Sequence, residues 1–211
     1  MKKTFIFTII CMMSLTAFSQ THLYVNPGFK YITKDHRIIG ILPFKSTVLL
    51  RPKEMKALSH EQLEKIEEAE GKSIQSAMYT WYLVREMRGD LKVKLQSVAA
   101  TNAKLKKAGI TYENLEYYTP DSIAKILEVD AIIMGTYETT KPTSEAAAVV
   151  LGMFTGFFGK TNKAVINLYI YNGEDGELLA NYNKGVSGSI GSTSEKLVNK
   201  LMRKASRRIG Y

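Results

Sequence analysis

The chain has 211 residues, a formal net charge of +9 at pH 7, three histidines and one cysteine, Cys11. A lone thiol excludes an internal disulfide framework and thiolate metal clusters, and this length suits one domain with a sizeable core. The basic balance suits anionic partners such as lipid headgroups or acidic polymers.

Lys2-Lys3 precede an apolar run from Phe5 to Met13, and Ala17-Phe18-Ser19 follows with small residues at the cleavage-facing positions. This pattern predicts a secretory signal, residues 1–19, cleaved after Ser19. The run is too short to span a bilayer, which takes about 20 apolar residues. Cys11 lies inside the signal, and the bulky Ile10 before it does not suit a lipidation site. Loss of Lys2 and Lys3 leaves a mature chain of net charge +7, without cysteine. Export without disulfides fits a bacterial envelope compartment, where nucleic acid is not a natural partner.

In the mature chain, residues 21–36 are mixed, with Asn26-Pro27-Gly28 as a turn. Arg37 to Phe44 reads as a strand apolar on both faces and ended by Pro43, with Thr47–Leu50 as a short companion. Ser59-His60-Glu61-Gln62 is a capping box opening a long helix to about Arg88. Its apolar face carries Leu63, Ile66, Ile74, Met78, Trp81, Val84 and Met87, while Gly71 interrupts the pattern. Glu64, Glu67, Glu68 and Glu70 read as a solvated face. Leu91–Gln96 alternates like a strand with one wet face, and Thr101–Lys107 reads as a short basic helix before Gly109.

Thr119-Pro120 then opens a short helix, with Ile123, Ile126 and Leu127 on one face. Asp130 marks a turn, and Ala131-Ile132-Ile133-Met134 is a strand that needs cover on both sides. An insertion spans residues 141–162. Val165–Tyr171, the turn Asn172–Gly176 and Leu178–Lys184 form a hairpin. After a Gly/Ser loop, Ser192-Thr193-Ser194-Glu195 is a second capping box, and Leu197, Leu201, Met202 and Ala205 face inward from the last helix. The order describes an α/β domain, residues 20–211, with a single mixed sheet of about five strands flanked by helices.

Three pieces carry a family resemblance: Ile38-Ile39-Gly40-Ile41-Leu42-Pro43-Phe44, Ile126 to Tyr137, and Ile166–Tyr171 with the following turn and Leu178-Leu179. Together they resemble the CsgG family of curli-secretion channel proteins over roughly residues 35–210. The resemblance implies a periplasmic α/β domain whose core is shared with outer-membrane lipoproteins that activate cell-wall synthases. Channel members of that family are lipidated through a cysteine and insert two β-hairpins per subunit. Here no usable cysteine exists, and only Lys141–Asn162 corresponds to a hairpin position; the second is the short loop near Ser187–Ser192.

Three features can carry function by contact. In the insertion, Ala146 to Gly159 has no charge. As a helix it stacks Ala148, Gly152 and Gly156 in a small-residue stripe, with Met153 between and Phe154, Phe157 and Phe158 as an apolar patch. It suits self-association, membrane dipping or packing on its own sheet. The last helix repeats Lys196, Lys200, Arg203, Lys204 and Arg207 on its outer side, a basic face suited to anionic lipid or an acidic surface. The hairpin carries Tyr169, Tyr171 and Tyr182 among Asn167, Asn181 and Asn183, a set suited to a protein or glycan interface. His22, His36 and His60 lie far apart without metal-ligand spacing, and no catalytic or phosphate-cradling motif occurs. The expectation is a non-enzymatic, exported envelope protein with no cofactor or small-molecule substrate. It would act by self-association or by contact with an envelope partner or membrane, with a regulatory module for a cell-wall synthase as the alternative and a hydrolase far behind.

Overall fold

A computed structural model describes residues 21–140, 163–187, 194–208 and 210–211. In chain order these form β1 (Thr21–Val25), α1 (Phe29–Ile32), β2 (Ile38–Ile41), β3 (Lys45–Val48), α2 (Pro52–Ala57), α3 (His60–Met87) and β4 (Lys94–Leu95). Then follow α4 (Val98–Lys107), α5 (Pro120–Leu127), β5 (Ala131–Thr139), β6 (Lys163–Asn172), β7 (Leu178–Ser187) and α6 (Ser194–Arg208). The signal segment, the insertion residues and the Ser192-Thr193 start of the last capping box lie outside the described residues. Among the described residues, no helix is long and apolar enough to cross a membrane.

The strands form one mixed sheet in the order β1-β7-β6-β5-β2-β4, with β3 also paired to β5. β2, β3 and β4 join in parallel, whereas β5, β6, β7 and β1 form an antiparallel run. The sheet has seven strands, not about five. The strand unseen in the sequence is β1: all five of its residues are exposed, so no alternation marks it. Backbone pairing to β7 makes it a strand. Leu91–Lys94 alternates in burial as expected, but Gln96 is buried rather than wet, with its amide donating to the Leu127 carbonyl at 2.7 Å, and only Lys94–Leu95 pairs, against β2.

Ala131–Ile133 is buried from both sides, as a central strand requires. Toward one face its neighbours belong to the larger core, where α3 and α6 pack with Ile74, Met78, Tyr82, Leu201 and Met202. Toward the other, α4 and α5 cover Leu42 and Ile132 with Leu105, Ile123 and Leu127. α5 starts at Pro120 as its sequence indicates and ends at Glu128, whose φ of 56° makes it a left-handed C-cap.

α3 is continuous through Gly71, and the reason for the glycine is tertiary. β2 and β3 both run along β5, but their registers differ by one residue across Leu42-Pro43-Phe44. Pro43 occupies this bulge, where no ladder N–H is needed. There the chain leans onto α3: the Phe44 N–H donates to the Gly71 carbonyl at 3.3 Å. A Cβ on residue 71 would lie 2.1 Å from the Phe44 carbonyl oxygen and 2.9 Å from Tyr112 Cε2.

Two readings of α3 need correction. Glu70 is fully buried and Glu67 accepts from the Val48 N–H at 3.0 Å, so the glutamates are not one solvated face. β3 packs over this part of α3 at Glu67, whereas Glu64 and Glu68 stay on the wet side beside His60 and Lys72, as expected. Met87 is 88% exposed while Met78 and Tyr82 are buried, because at 3.6 residues per turn Met87 comes round to roughly the opposite side of the helix from Met78.

Gly71→Ala should therefore lower stability by about 2 kcal/mol or more through overpacking against backbone. Urea unfolding of both proteins measures it, and an unchanged midpoint would contradict the close-approach reading.

Candidate functional site

The two faces of the sheet are covered unequally. Directly opposed residues in neighbouring strands share a face. Leu168, Ile170, Ala180 and Tyr182 therefore point with α3 and α6 into the larger core. The alternate residues point the other way, where α4 and α5 reach only as far as Met134 and Tyr171. Beyond that line the outer face of β6, β7, β1 and the end of β5 carries no described helix.

Two rows of side chains cross this open half. In the first, register aligns His22, Asn183, Asn167, Thr136 and Lys45 over five strands. Asn183 donates its amide to the Asn167 side-chain carbonyl, and Asn167 donates to the Thr136 hydroxyl at 3.1 Å. In the second row stand Tyr24, Asn181, Tyr169 and Met134. Tyr169 stacks on Tyr171 with centroids 6.1 Å apart and planes 27° from parallel. Partial burial, and then the neighbouring Tyr169, raises the Tyr171 phenol, which keeps that ring neutral and amphipathic at neutral pH.

The expected tyrosine set is thus split. Tyr169 and Tyr171 lie together on the open half. Tyr182 does not: it is 1% exposed and faces α6, because its register opposite Leu168 places it on the inner side. Sequence reasoning missed Tyr24 and His22, whose strand gave no burial signal.

α6 presents its cations outward, with Lys196, Lys200, Arg203, Lys204 and Arg207 all exposed. Its solvent-facing arc has two flanks. On one, Arg203 sits over the Trp81 ring at 5.9 Å and Asn199 accepts from the Trp81 indole at 3.3 Å, tying α6 to α3. On the other, Lys200, Lys204 and Arg208 lie near Lys184 of β7, whose ammonium donates to the Thr21 hydroxyl. Burial and then these three cations lower the Lys184 pKa. Ala148, Gly152, Met153, Phe154, Gly156, Phe157 and Phe158 of the insertion lie outside the described residues.

Among the described residues no cluster of His, Cys, Asp and Glu can hold a metal ion. His36 has structural partners: Nδ1 lies 3.0 Å from the Tyr211 hydroxyl, and the rings stack at 5.8 Å. Asp130 is committed to backbone. Its Oδ2 accepts from the Arg37 and Ile38 N–H groups at 2.7 and 2.8 Å, fastening the start of β2 to the end of α5.

No family model and no curated protein matches the chain. Solved structures that resemble it include the PelC dodecamer from Paraburkholderia phytofirmans, at 8% identity and TM-score 0.48, over 92% of this chain and 99% of that one. The lipoprotein GNA1162 from Neisseria meningitidis aligns at 11% identity and TM-score 0.47, over 82% and 96%. The LpoB C-terminal domain from Salmonella enterica aligns at 8% identity and TM-score 0.32, over 77% and 93%. At these values the likenesses carry no argument about site or partner.

The His36 contact makes stability pH-dependent. Burial lowers its pKa below the ordinary 6.5, only partly offset by Asp130. The folded state then binds fewer protons than the unfolded chain. Stability should be complete above about pH 6.5, fall with pH below it, and level off once His36 is protonated in both states. Thermal melts of wild type and His36→Gln between neutral and mildly acidic pH check this; identical pH slopes would contradict it.

Proposed function

We propose that this protein is a non-enzymatic envelope module that works by contact, and that the open half of its sheet is a protein-binding surface. One observation carries the reading. A stacked tyrosine pair and an amide–hydroxyl rung lie side by side on strands fixed by a packed core, with no described helix over them. Aromatic rings supply contact area at low entropic cost, and side-chain amides supply directional hydrogen bonds. Export through the N-terminal signal, and a place in secretion or envelope biogenesis, belong to this proposal. So does the CsgG-like resemblance. The charge-free insertion is proposed as a second contact element, between copies or with the membrane.

Affinity capture from envelope extract with the mature protein tests the surface. Wild type should retain a specific envelope protein, and Tyr169→Ala/Tyr171→Ala should lower its recovery at least about tenfold, the loss of one contact hot spot. Equal recovery with a folded double variant would contradict the reading. Light scattering on the mature protein, with and without residues 144–162, tests the insertion: a larger assembly only when it is present supports self-association, and identical monomers oppose it.

A further inference from the structure

Another surface lies at the opposite flank of α6, where the helix meets the free edge of the sheet. β1 is the last strand on that side, and its outer edge pairs with no described strand. Leu23 and Val25 are opposed to Tyr182 and Ala180, so they point to the same face as α6. They lie beyond the flank of the helix and remain 43% and 45% exposed. Beside them runs the row Lys200, Lys204 and Arg208, spaced at four residues on α6, with Lys184 below it. Among the described residues none of the three helix cations takes part in an ion pair. The neighbouring strand Thr21–Val25 has no carboxylate.

We propose that this corner of α6 and β1 docks on the surface of an anionic phospholipid bilayer, independently of the protein-binding half of the sheet. The cations lie in a row roughly 12 Å long, from Lys200 to Arg208, rather than around one point. A row matches several phosphate headgroups at once, and lysines keep their charge in water while their stems lie along apolar surface. Leu23 and Val25 stand at the same corner to enter the headgroup boundary, so charge and apolar area act together. A second copy paired edge to edge through β1 fits less well. Antiparallel pairing would bring two like-charged rows side by side on one face, and like charges across an interface oppose association.

Co-sedimentation of the mature protein with vesicles decides the matter. Phosphatidylcholine vesicles with about one third phosphatidylglycerol should bind it at low salt, and pure phosphatidylcholine should not. Binding should weaken steeply as salt rises. Each cation is worth roughly a fivefold change in partition, so Lys200→Glu/Lys204→Glu/Arg208→Glu should weaken binding by about a hundredfold or more. Leu23→Ser/Val25→Ser should weaken it without changing the salt slope, and supplies the answer should the charge-reversed protein fail to fold. Lys106→Glu/Lys107→Glu on α4, and Tyr169→Ala/Tyr171→Ala, should bind as wild type, which separates this corner from the proposed protein-binding surface. Equal binding to neutral vesicles, or unaltered binding by both corner variants, would overturn the proposal. So would equally tight binding of soluble polyglutamate, or a dimer lost on Leu23→Ser.

Discussion

The structure depends on a sheet whose two faces are covered to different extents. α3 and α6 lie side by side over the inner face, and their contacts close the larger core from β2 to β7. α4 and α5 close only the other side of β2, the first part of β5 and the end of β6 at Tyr171. A strand buried on both faces must be apolar on both, as Ala131–Ile133 is; one buried on a single face alternates, as Lys163–Asn172 does. The change from one regime to the other occurs within β5. Past Met134 its residues alternate, with Thr136 and Glu138 exposed between the buried Gly135, Tyr137 and Thr139. The open half of the sheet begins there.

Two close joints hold that geometry. Asp130 binds the first backbone amides of β2, and its own carbonyl accepts from the Gly173 N–H at 2.8 Å at the β6–β7 turn. The unit from α5 to β5 is thereby tied both to the parallel half and to the antiparallel half. Gly71 holds the second joint by letting the β2–β3 bulge rest on α3. Tyr112 reinforces it: its hydroxyl accepts from the Ser46 N–H at 2.6 Å and donates to the Glu67 carbonyl at 3.2 Å, and burial pushes its pKa up to about 12. A neutral phenol is the form that can serve both partners.

Much of this was legible from residue patterns, and what was not has physical reasons. The capping box at Ser59, the start of α5 at Pro120 and the central run from Ala131 all read correctly, because each rests on local chemistry. β1 was illegible because an exposed edge strand is specified by its partner and not by its own alternation. Glu70 and Tyr182 were misread for a different reason. Periodicity shows that residues share a face but not what will cover that face. Tyr182 shares the hairpin with Tyr169 and Tyr171, and only the register between β6 and β7, which sets Tyr182 opposite Leu168 and Tyr169 opposite Asn181, separates them. The tyrosine pair was visible in the sequence; its alignment with Tyr24, His22 and the asparagine–threonine rung required the strand order.

The most direct measurement is site-specific photo-crosslinking in living cells. A photoreactive residue is placed at Tyr169 or Tyr171 on the open half, and at Tyr117, which is 81% exposed elsewhere on the molecule. Discrete protein adducts from Tyr169 and Tyr171, absent from Tyr117, are what the account predicts. Adducts of equal strength from all three positions, or from Tyr117 alone, would contradict it.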